Sequence, residues 1–175
     1  MPISAICHKR TLQNVHLLAA GERKQNTMSL RSFHEVGFKP QFTPKEMLKL
    51  GVFGGWYFEC QHDEFPQDWL EDAKLSPSGF DPTCNYFKVA AGQPRDIWKS
   101  KGWITPEDPL GWFQWYCRYF MGRRLGGTDD YQISRWRAFG PRHIGGLRAN
   151  CEPGNIWCRP RQRQALLQWA YDPFF

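Results

Sequence analysis

The sequence predicts a mainly α-helical fold with little or no β structure, and three observations support this prediction. The chain has 175 residues, enough for one domain to bury roughly 70% of its unfolded surface. Helix-start signals with proline in the first turn recur, at Pro44 and Pro160. Residues 112–124 carry aromatic side chains around nearly the whole helical circumference. We therefore expect a single compact helical domain with Gly/Pro-rich loops, built on a buried aromatic central helix.

Residues 108–124 form the segment around which the rest of the chain is expected to pack. At about 3.6 residues per turn, its apolar residues leave only Gln114 and Arg118 on a narrow polar strip. The apolar set consists of Trp112, Phe113, Trp115, Tyr116, Cys117, Tyr119 and Phe120. A helix that is apolar nearly all round is a buried helix. Arg118 would then be drawn inward, so it needs either an internal carboxylate or an anionic ligand.

Residues 1–41 differ from the rest of the chain because they show no sustained hydrophobic periodicity. They are basic, poor in acids and contain an internal Met28. Such a start can be an organelle targeting peptide, but we favour a disordered extension or one wrongly assigned to the protein. We predict a disordered or targeting-like extension over residues 1–41, followed by one α-helical domain over residues 42–175.

The first part of that domain is predicted from a capping box. Residues 43–46, Thr-Pro-Lys-Glu, open a helix that ends near Leu50. A glycine-spaced turn follows over residues 51–56, where we expect close backbone approach or positive φ. Short helical segments are expected over residues 67–74 and 94–103. Residues 85–91 are apolar and could be strand or helix.

Two further helices follow the central one. We expect residues 105–109 to cap the central helix and Gly126-Gly127 to end it, after which Thr128 opens a second helix. Gly140-Pro141 is expected to break this second helix, because proline removes a backbone donor and clashes with the preceding turn. The last helix should begin at Pro160. Its inward residues are predicted to be Leu166, Leu167 and Ala170.

The charge of the C-terminal half is carried by arginine. The formal net charge is +6, and no lysine follows Lys101. Ten arginines against three acids lie between residues 118 and 163. Guanidinium groups bind phosphate or carboxylate through two parallel hydrogen bonds. Residues 59–72 are the reverse, with six acids and no lysine or arginine. The two regions either pair with each other or leave the arginines for a polyanion.

The strongest candidate site is an anion site at the start of the last helix. Its predicted phosphate-binding residues are Arg118, Arg123, Arg124, Arg159, Arg161 and Arg163. A helix N-terminus favours negative charge, so arginines in its first turn repel it unless an anion is bound. We favour phosphate as that anion. The alternatives are an internal acid, such as Asp63, Glu64 or Asp172, and a solvated basic face.

Metal and disulfide chemistry are not expected from the cysteines. The chain has six cysteines and no secretory signal, which favours a reducing compartment, so we predict no disulfides. Cys151 and Cys158 could form half of a zinc site, completed by Cys60, His62, Cys84 or His143. No Cys-x-x-Cys hook is present. We therefore predict no metal and no cofactor, and take buried thiols as the default.

Catalytic residues are not indicated by any motif. The sequence has no Gly-x-Ser-x-Gly and no His-Glu-x-x-His pattern. Asp63, Glu64 and Gln162 are weak candidates for acid, base or nucleophile-orienting roles. A carboxylate near arginines is more often an ion pair, and Gln162 and Gln164 are more often helix surface.

Four blocks of sequence resemble a family of small, mostly uncharacterised proteins found in bacteria and some eukaryotes. They lie at residues 42–55, 64–66, 111–124 and 158–171, and include GVFGG, GWFQWYCRYFMGRR and CRPRQRQALLQWAY. The resemblance covers about three quarters of the chain. A more distant similarity is to phage amino acid:DNA transferases of thymine hypermodification, without residue-by-residue correspondence.

That similarity implies a nucleic-acid-directed protein and, more specifically, a group-transfer enzyme on modified DNA. In such chemistry an amine displaces pyrophosphate from a modified thymine, and arginines would neutralise the departing phosphates. Trp115, Tyr116 or Trp169 would stack on an extruded base. The alternative is a non-catalytic interaction or nucleic-acid-binding module whose arginines pair internal or partner carboxylates.

DNA or another polyanion is the expected partner, and the oligomeric state stays open. Mean hydropathy is −0.62 and no apolar run of about 18 residues occurs, so no membrane span is expected. We therefore expect an intracellular protein, either cytoplasmic or nucleoid-associated.

Overall fold

Six α-helices and no β-strand are found in the computed structural model, which describes residues 37–57 and 62–175. The helices are α1 Pro44–Leu50, α2 Asp68–Glu71, α3 Arg95–Ser100, α4 Trp112–Phe120, α5 Gly127–Arg148 and α6 Pro160–Gln168. Three short 3-10 turns lie at Phe53–Gly55, His62–Glu64 and Pro82–Cys84. The predicted mainly α fold is confirmed. None of the helices in the described ranges is long and apolar enough to cross a membrane.

Helix α1 begins with the predicted capping box. The Thr43 side chain accepts a hydrogen bond from the Glu46 backbone amide, and Glu46 Oε2 accepts from the Thr43 amide at 2.7 Å. These two bonds satisfy backbone donors that a helix start leaves free. Helix α1 packs on α2, with Lys45 bound to Asp68 at 2.8 Å. Both capping and packing therefore position the N-terminal part of the domain.

Helix α4 is the buried aromatic centre that the sequence predicts. Seven of its nine residues are buried, including Gln114, whose Oε1 accepts from the Leu110 amide at 3.0 Å. The helix begins at Trp112 with Gly111 as its N-cap, so residues 105–109 lie before the helix and do not cap it. Phe38 packs against five aromatic rings of α4 and α5 and is fully buried. The folded domain therefore includes Phe38, which lies outside the predicted domain of residues 42–175.

Helix α5 is continuous, so the predicted break at Gly140-Pro141 is wrong. The helix runs for 22 residues from Gly127 to Arg148 with Pro141 inside it. Pro141 is exposed, so its ring and the missing hydrogen bond lie on the solvent side. Gly140 has no Cβ to clash with the proline ring, which removes one reason for the chain to leave the helix. Helix α5 therefore continues through this point.

Gly140 lies in close contact with the Tyr171 side chain of the C-terminal segment. An ideal Cβ at Gly140 would lie 2.1 Å from Cζ of Tyr171. The Tyr171 ring stacks on Trp136 with centroids 4.5 Å apart, and its hydroxyl donates to the Trp136 carbonyl at 2.8 Å. Tyr171 is held by these two contacts and has little freedom to move away. Only glycine leaves room for it.

Substituting Gly140 by alanine is expected to destabilise the domain by about 2 kcal/mol, the range for overpacking a core contact. The expected loss is opposite in sign to the usual effect, because alanine normally stabilises a helix interior relative to glycine. Chemical denaturation of the variant and of Gly145→Ala tests it. Gly145 lies on the same helix with open space around its Cα, so alanine there should raise stability.

Several shorter elements differ from their predicted bounds. Helices α2 and α3 are shorter than the predicted segments 67–74 and 94–103, and residues 85–91 form turns, neither strand nor helix. Gly51 has φ 101°, and a Cβ there would lie 2.2 Å from the Cys84 carbonyl oxygen, which confirms the expected close approach. The predictions for residues 1–36 lie outside the described residues.

Candidate nucleic-acid interface

Arg118 and Arg123 are neutralised inside the protein. Arg118 binds both oxygens of Glu64, with Nη2 to Oε2 at 2.7 Å, and Asp108 Oδ1 at 2.9 Å. Arg123 Nη2 binds Asp108 Oδ2 at 2.6 Å, and the Asp108 side chain is fully buried. The hydrogen bonds that Arg118 donates to the Glu64 carboxylate raise the pKa of its guanidinium. The partners of these two arginines are therefore internal carboxylates, the alternative considered above, and not the predicted phosphate.

Arg163 and Arg124 are bound by backbone carbonyls. Arg163 is 1% exposed and donates to the carbonyls of Asn155, Cys158, Pro173 and Phe175. Burial lowers the pKa of its guanidinium. Arg124 donates to the carbonyls of Tyr119 and Arg123, and its guanidinium lies 3.7 Å from the centre of the Tyr119 ring. Arg163 thus holds together the segments before and after α6. Because its guanidinium is buried and bound to these carbonyls, it is not available to bind phosphate as predicted.

Arg159 and Arg161 lie where the sequence places them, at the start of α6. The helix begins at Pro160, as predicted, with Arg159 as its N-cap at φ 53° and no acid in the first turn. Both arginines are exposed, and neither forms a salt bridge with an acid of the described ranges. Two cations at a positive helix end repel each other and the helix dipole.

Two exposed arginines at the end of α5 extend this basic region. Arg142 and Arg148 form no salt bridge within residues 37–57 and 62–175 either. Gln162 of α6 donates to the His143 carbonyl at 2.7 Å, so the first turn of α6 lies against α5 at the residue that follows Arg142. Arg148 lies 5.6 Å from the Phe175 ring, which Arg163 also contacts. All four arginines therefore lie in the C-terminal half of α5 or at the start of α6.

A disulfide closes the loop that joins these helices, so the prediction of no disulfides is wrong. Cys151 and Cys158 are bonded, with Cα atoms 5.8 Å apart. Helix α5 ends just before this loop and α6 begins just after it, which brings the two cysteines within bonding distance. A bonded pair has no thiolate to offer, and this removes the basis of the weak zinc hypothesis. The free cysteines of the described part are Cys84 and the buried Cys117.

The closed loop presents an exposed tryptophan. Trp157 is 58% exposed, the largest exposed fraction among the large apolar side chains of the described residues. One side of its ring is supported by Tyr86, stacked at 6.4 Å with 13° between the planes, and by Phe87 at 5.7 Å. A large ring held in place yet exposed is suited to stacking on a ligand. We name Arg142, Arg148, Trp157, Arg159 and Arg161 the junction surface.

The predicted stacking residues lie elsewhere. Trp115 and Tyr116 are buried in the core, where the Trp115 indole donates to Asp129 at 2.8 Å and the Tyr116 hydroxyl donates to the Phe42 carbonyl at 2.7 Å. Neither can stack on a base without unfolding, so this prediction is wrong for both. Trp169 is half-buried and stacks on Trp112 and Phe139.

The weak catalytic candidates are not brought together. Asp63 and Glu64 are exposed in the turn His62–Glu64, and Glu64 is bound to Arg118. Gln162 is half-buried and holds α6 to α5. Gln164, expected on the helix surface, is fully buried and links α6 to Gly51 and Phe87. These contacts assign positioning roles to the two glutamines.

The remaining zinc candidates do not assemble a metal centre either. Cys60 and the side chain of His62 lie outside the described residues. Across the residues that are described, no three metal-ligating side chains come together.

Comparison with protein-family models, curated proteins and solved structures found no match for this chain. The junction surface is therefore interpreted from its own chemistry.

Sequence reasoning identified Arg159 and Arg161 but missed the rest of the junction surface. Arg142 and Arg148 were counted in the arginine excess without being assigned to the site, and Trp157 was not among the predicted site residues. One signal was present: Cys-Glu-Pro-Gly-Asn-Ile-Trp-Cys is a short loop between two cysteines, which places its tryptophan at a constrained turn.

Proposed function

We propose that the protein binds single-stranded nucleic acid at the junction surface. One observation carries the proposal: four exposed arginines without an acidic partner in the described chain lie on the two helices that flank the disulfide-closed loop, and this loop carries an exposed, supported tryptophan. Guanidinium groups match the geometry of phosphate, and every base offers a face on which an indole can stack. Duplex DNA hides those faces within its base stack. Trp157 therefore favours an unpaired strand.

The charge of the molecule supports the same proposal. The net charge of +6 attracts polyanions. Glu152 is the sole acid between residues 142 and 163. The group-transfer reaction expected from the phage resemblance remains a prediction, to which the junction surface adds no catalytic group.

The first test is the salt dependence of binding. Fluorescence anisotropy of a labelled oligothymidylate is expected to show an affinity that falls with salt at a slope of about −3, because each single-strand phosphate neutralised contributes about −0.7. Replacing both Arg159 and Arg161 by glutamine should reduce that slope by about 1.4. Lys49→Gln, which removes an exposed cation on α1 paired with Asp72, is the control and should leave the slope unchanged.

The second arm tests stacking. Trp157→Ala is expected to weaken binding of the strand roughly tenfold, since stacking contributes about 1 to 3 kcal/mol per base. Polyglutamate serves as an unrelated polyanion without bases. A flat salt response, or no binding at low salt, would refute the proposal. Equal losses for the strand and for polyglutamate in every variant would instead favour an acidic protein partner.

A further inference from the structure

Arg135 is a half-buried cation without an acidic partner among the described residues, and it lies outside the junction surface. Its Nη1 donates to the Trp103 carbonyl at 3.1 Å and to Gln132 Oε1 at 2.9 Å. It forms no salt bridge in the described part of the chain. Two neutral acceptors leave most of its five donors and its charge uncompensated. Burial lowers the pKa of its guanidinium.

Gln132 adds a second donor beside this cation. The residue is fully buried, and its Nε2 has no hydrogen-bond partner. Because Oε1 of the same amide binds Arg135, the free Nε2 lies next to the guanidinium. A buried amide donor without a partner destabilises the folded state. An oxyanion bound by Arg135 would accept from both groups and remove both costs.

Aromatic rings surround this pair. The guanidinium carbon of Arg135 lies 5.3 Å from the Trp169 ring, 5.4 Å from Trp103 and 5.5 Å from Tyr131. Trp103 and Trp169 are partly exposed. Another buried donor without a partner, the indole nitrogen of Trp112, belongs to a ring stacked on Trp169 at 4.8 Å. The surroundings therefore offer donors and flat apolar surfaces, and no acid of the described ranges forms a salt bridge with Arg135.

The position of Arg135 relates it to the junction surface. Arg142 lies seven residues later on α5, which is about two turns and close to the same helical face. The distance along the helix axis is roughly 10 Å. A ligand that extends along this face would reach both arginines.

We propose that Arg135 and Gln132 form a second anion site, which binds a phosphoryl group of a nucleotide unit between the rings of Trp103 and Trp169. The choice of a nucleotide rests on the proposed function, whereas the need for an oxyanion follows from the unpaired donors alone. The phosphate belongs either to a strand that also occupies the junction surface or to a free nucleotide.

Thermal denaturation at constant ionic strength tests this site without a strand. Adenosine 5′-monophosphate at ten times its Kd is expected to raise Tm by about 4 °C, and adenosine should leave it unchanged. Arg135→Gln should abolish the rise. Gln132→Glu places a carboxylate beside Arg135, so it should raise Tm without ligand and also abolish the response. Arg161→Gln, a control on the junction surface, should retain it.

Binding of labelled oligothymidylate to the same variants then separates the two sources of phosphate. A loss of affinity in Arg135→Gln indicates a phosphate of the strand, and unchanged affinity together with the nucleotide response indicates a free nucleotide. No Tm response to the monophosphate in the wild-type protein, or an equal response in Gln132→Glu, would overturn the second site. Strand binding through the junction surface would survive that result, so the two proposals fail separately.

Discussion

Replacing Arg163 by alanine is expected to lower the free energy of unfolding by about 4 kcal/mol, a large part of the roughly 5 to 15 kcal/mol that domains possess. Arg163 is 1% exposed and holds four backbone carbonyls from the loop before α6 and from the C-terminal segment. Removing it leaves those acceptors without partners in a buried place, at roughly 1 kcal/mol or more each. The side-chain volume is lost as well.

Urea denaturation followed by circular dichroism measures this loss, and Arg161→Ala is its control. Arg161 lies two residues earlier in the same helix and is exposed, so its removal should change stability by no more than about 0.5 kcal/mol. Arg163→Lys should recover little, because one ammonium cannot reach carbonyls placed around a planar guanidinium. Equal stability of Arg163→Ala and Arg161→Ala would show that the carbonyl contacts contribute nothing.

Asp108→Asn is expected to cause the second large loss, about 3 kcal/mol, the scale of breaking a buried ion pair. Its carboxylate is fully buried and is shared by Arg118 and Arg123. Asparagine has nearly the same size but no charge, so Arg118 and Arg123 both lose the counter-charge that Asp108 provides. Arg118 keeps Glu64, so Arg123 should bear most of the effect.

A double-mutant cycle with Arg123→Met checks this assignment. If Asp108 acts through Arg123, the double variant should be more stable than the sum of the single losses predicts. Asp72→Asn is the matched control, because Asp72 is exposed and pairs with Lys49, and its change should have no measurable effect. Strictly additive losses would contradict the shared pairing.

The helices were predictable because their signals are local. The capping box at Thr43, the apolar circumference of α4 and the proline at the start of α6 each involve residues within a few positions of one another. The wrong prediction of a break at Gly140-Pro141 also comes from reliance on local signals. Local rules favour a break there, but packing of Gly140 on Tyr171, which lies 31 residues later, keeps α5 continuous.

The candidate site was predicted only in part, because an arginine's residue type does not reveal its partner. Arg161 and Arg163 are two positions apart in one helix, yet one is exposed and the other buried. Arg163 is bound by carbonyls, which every residue possesses and which leave no sequence signature. The resemblance to small bacterial and eukaryotic proteins and to phage transferases stays a prediction.

By itself the sequence determined the helical class, the buried aromatic centre and the arginine excess of the C-terminal half, since periodicity and composition require no knowledge of distant contacts. Only the tertiary structure decided which arginines are neutralised, which cysteines are joined and which tryptophan is exposed. Those outcomes depend on residues far apart in the chain, such as Glu64 and Arg118, 54 positions apart. Electrostatic and packing energies act through space, so the function of each charge is settled by the fold.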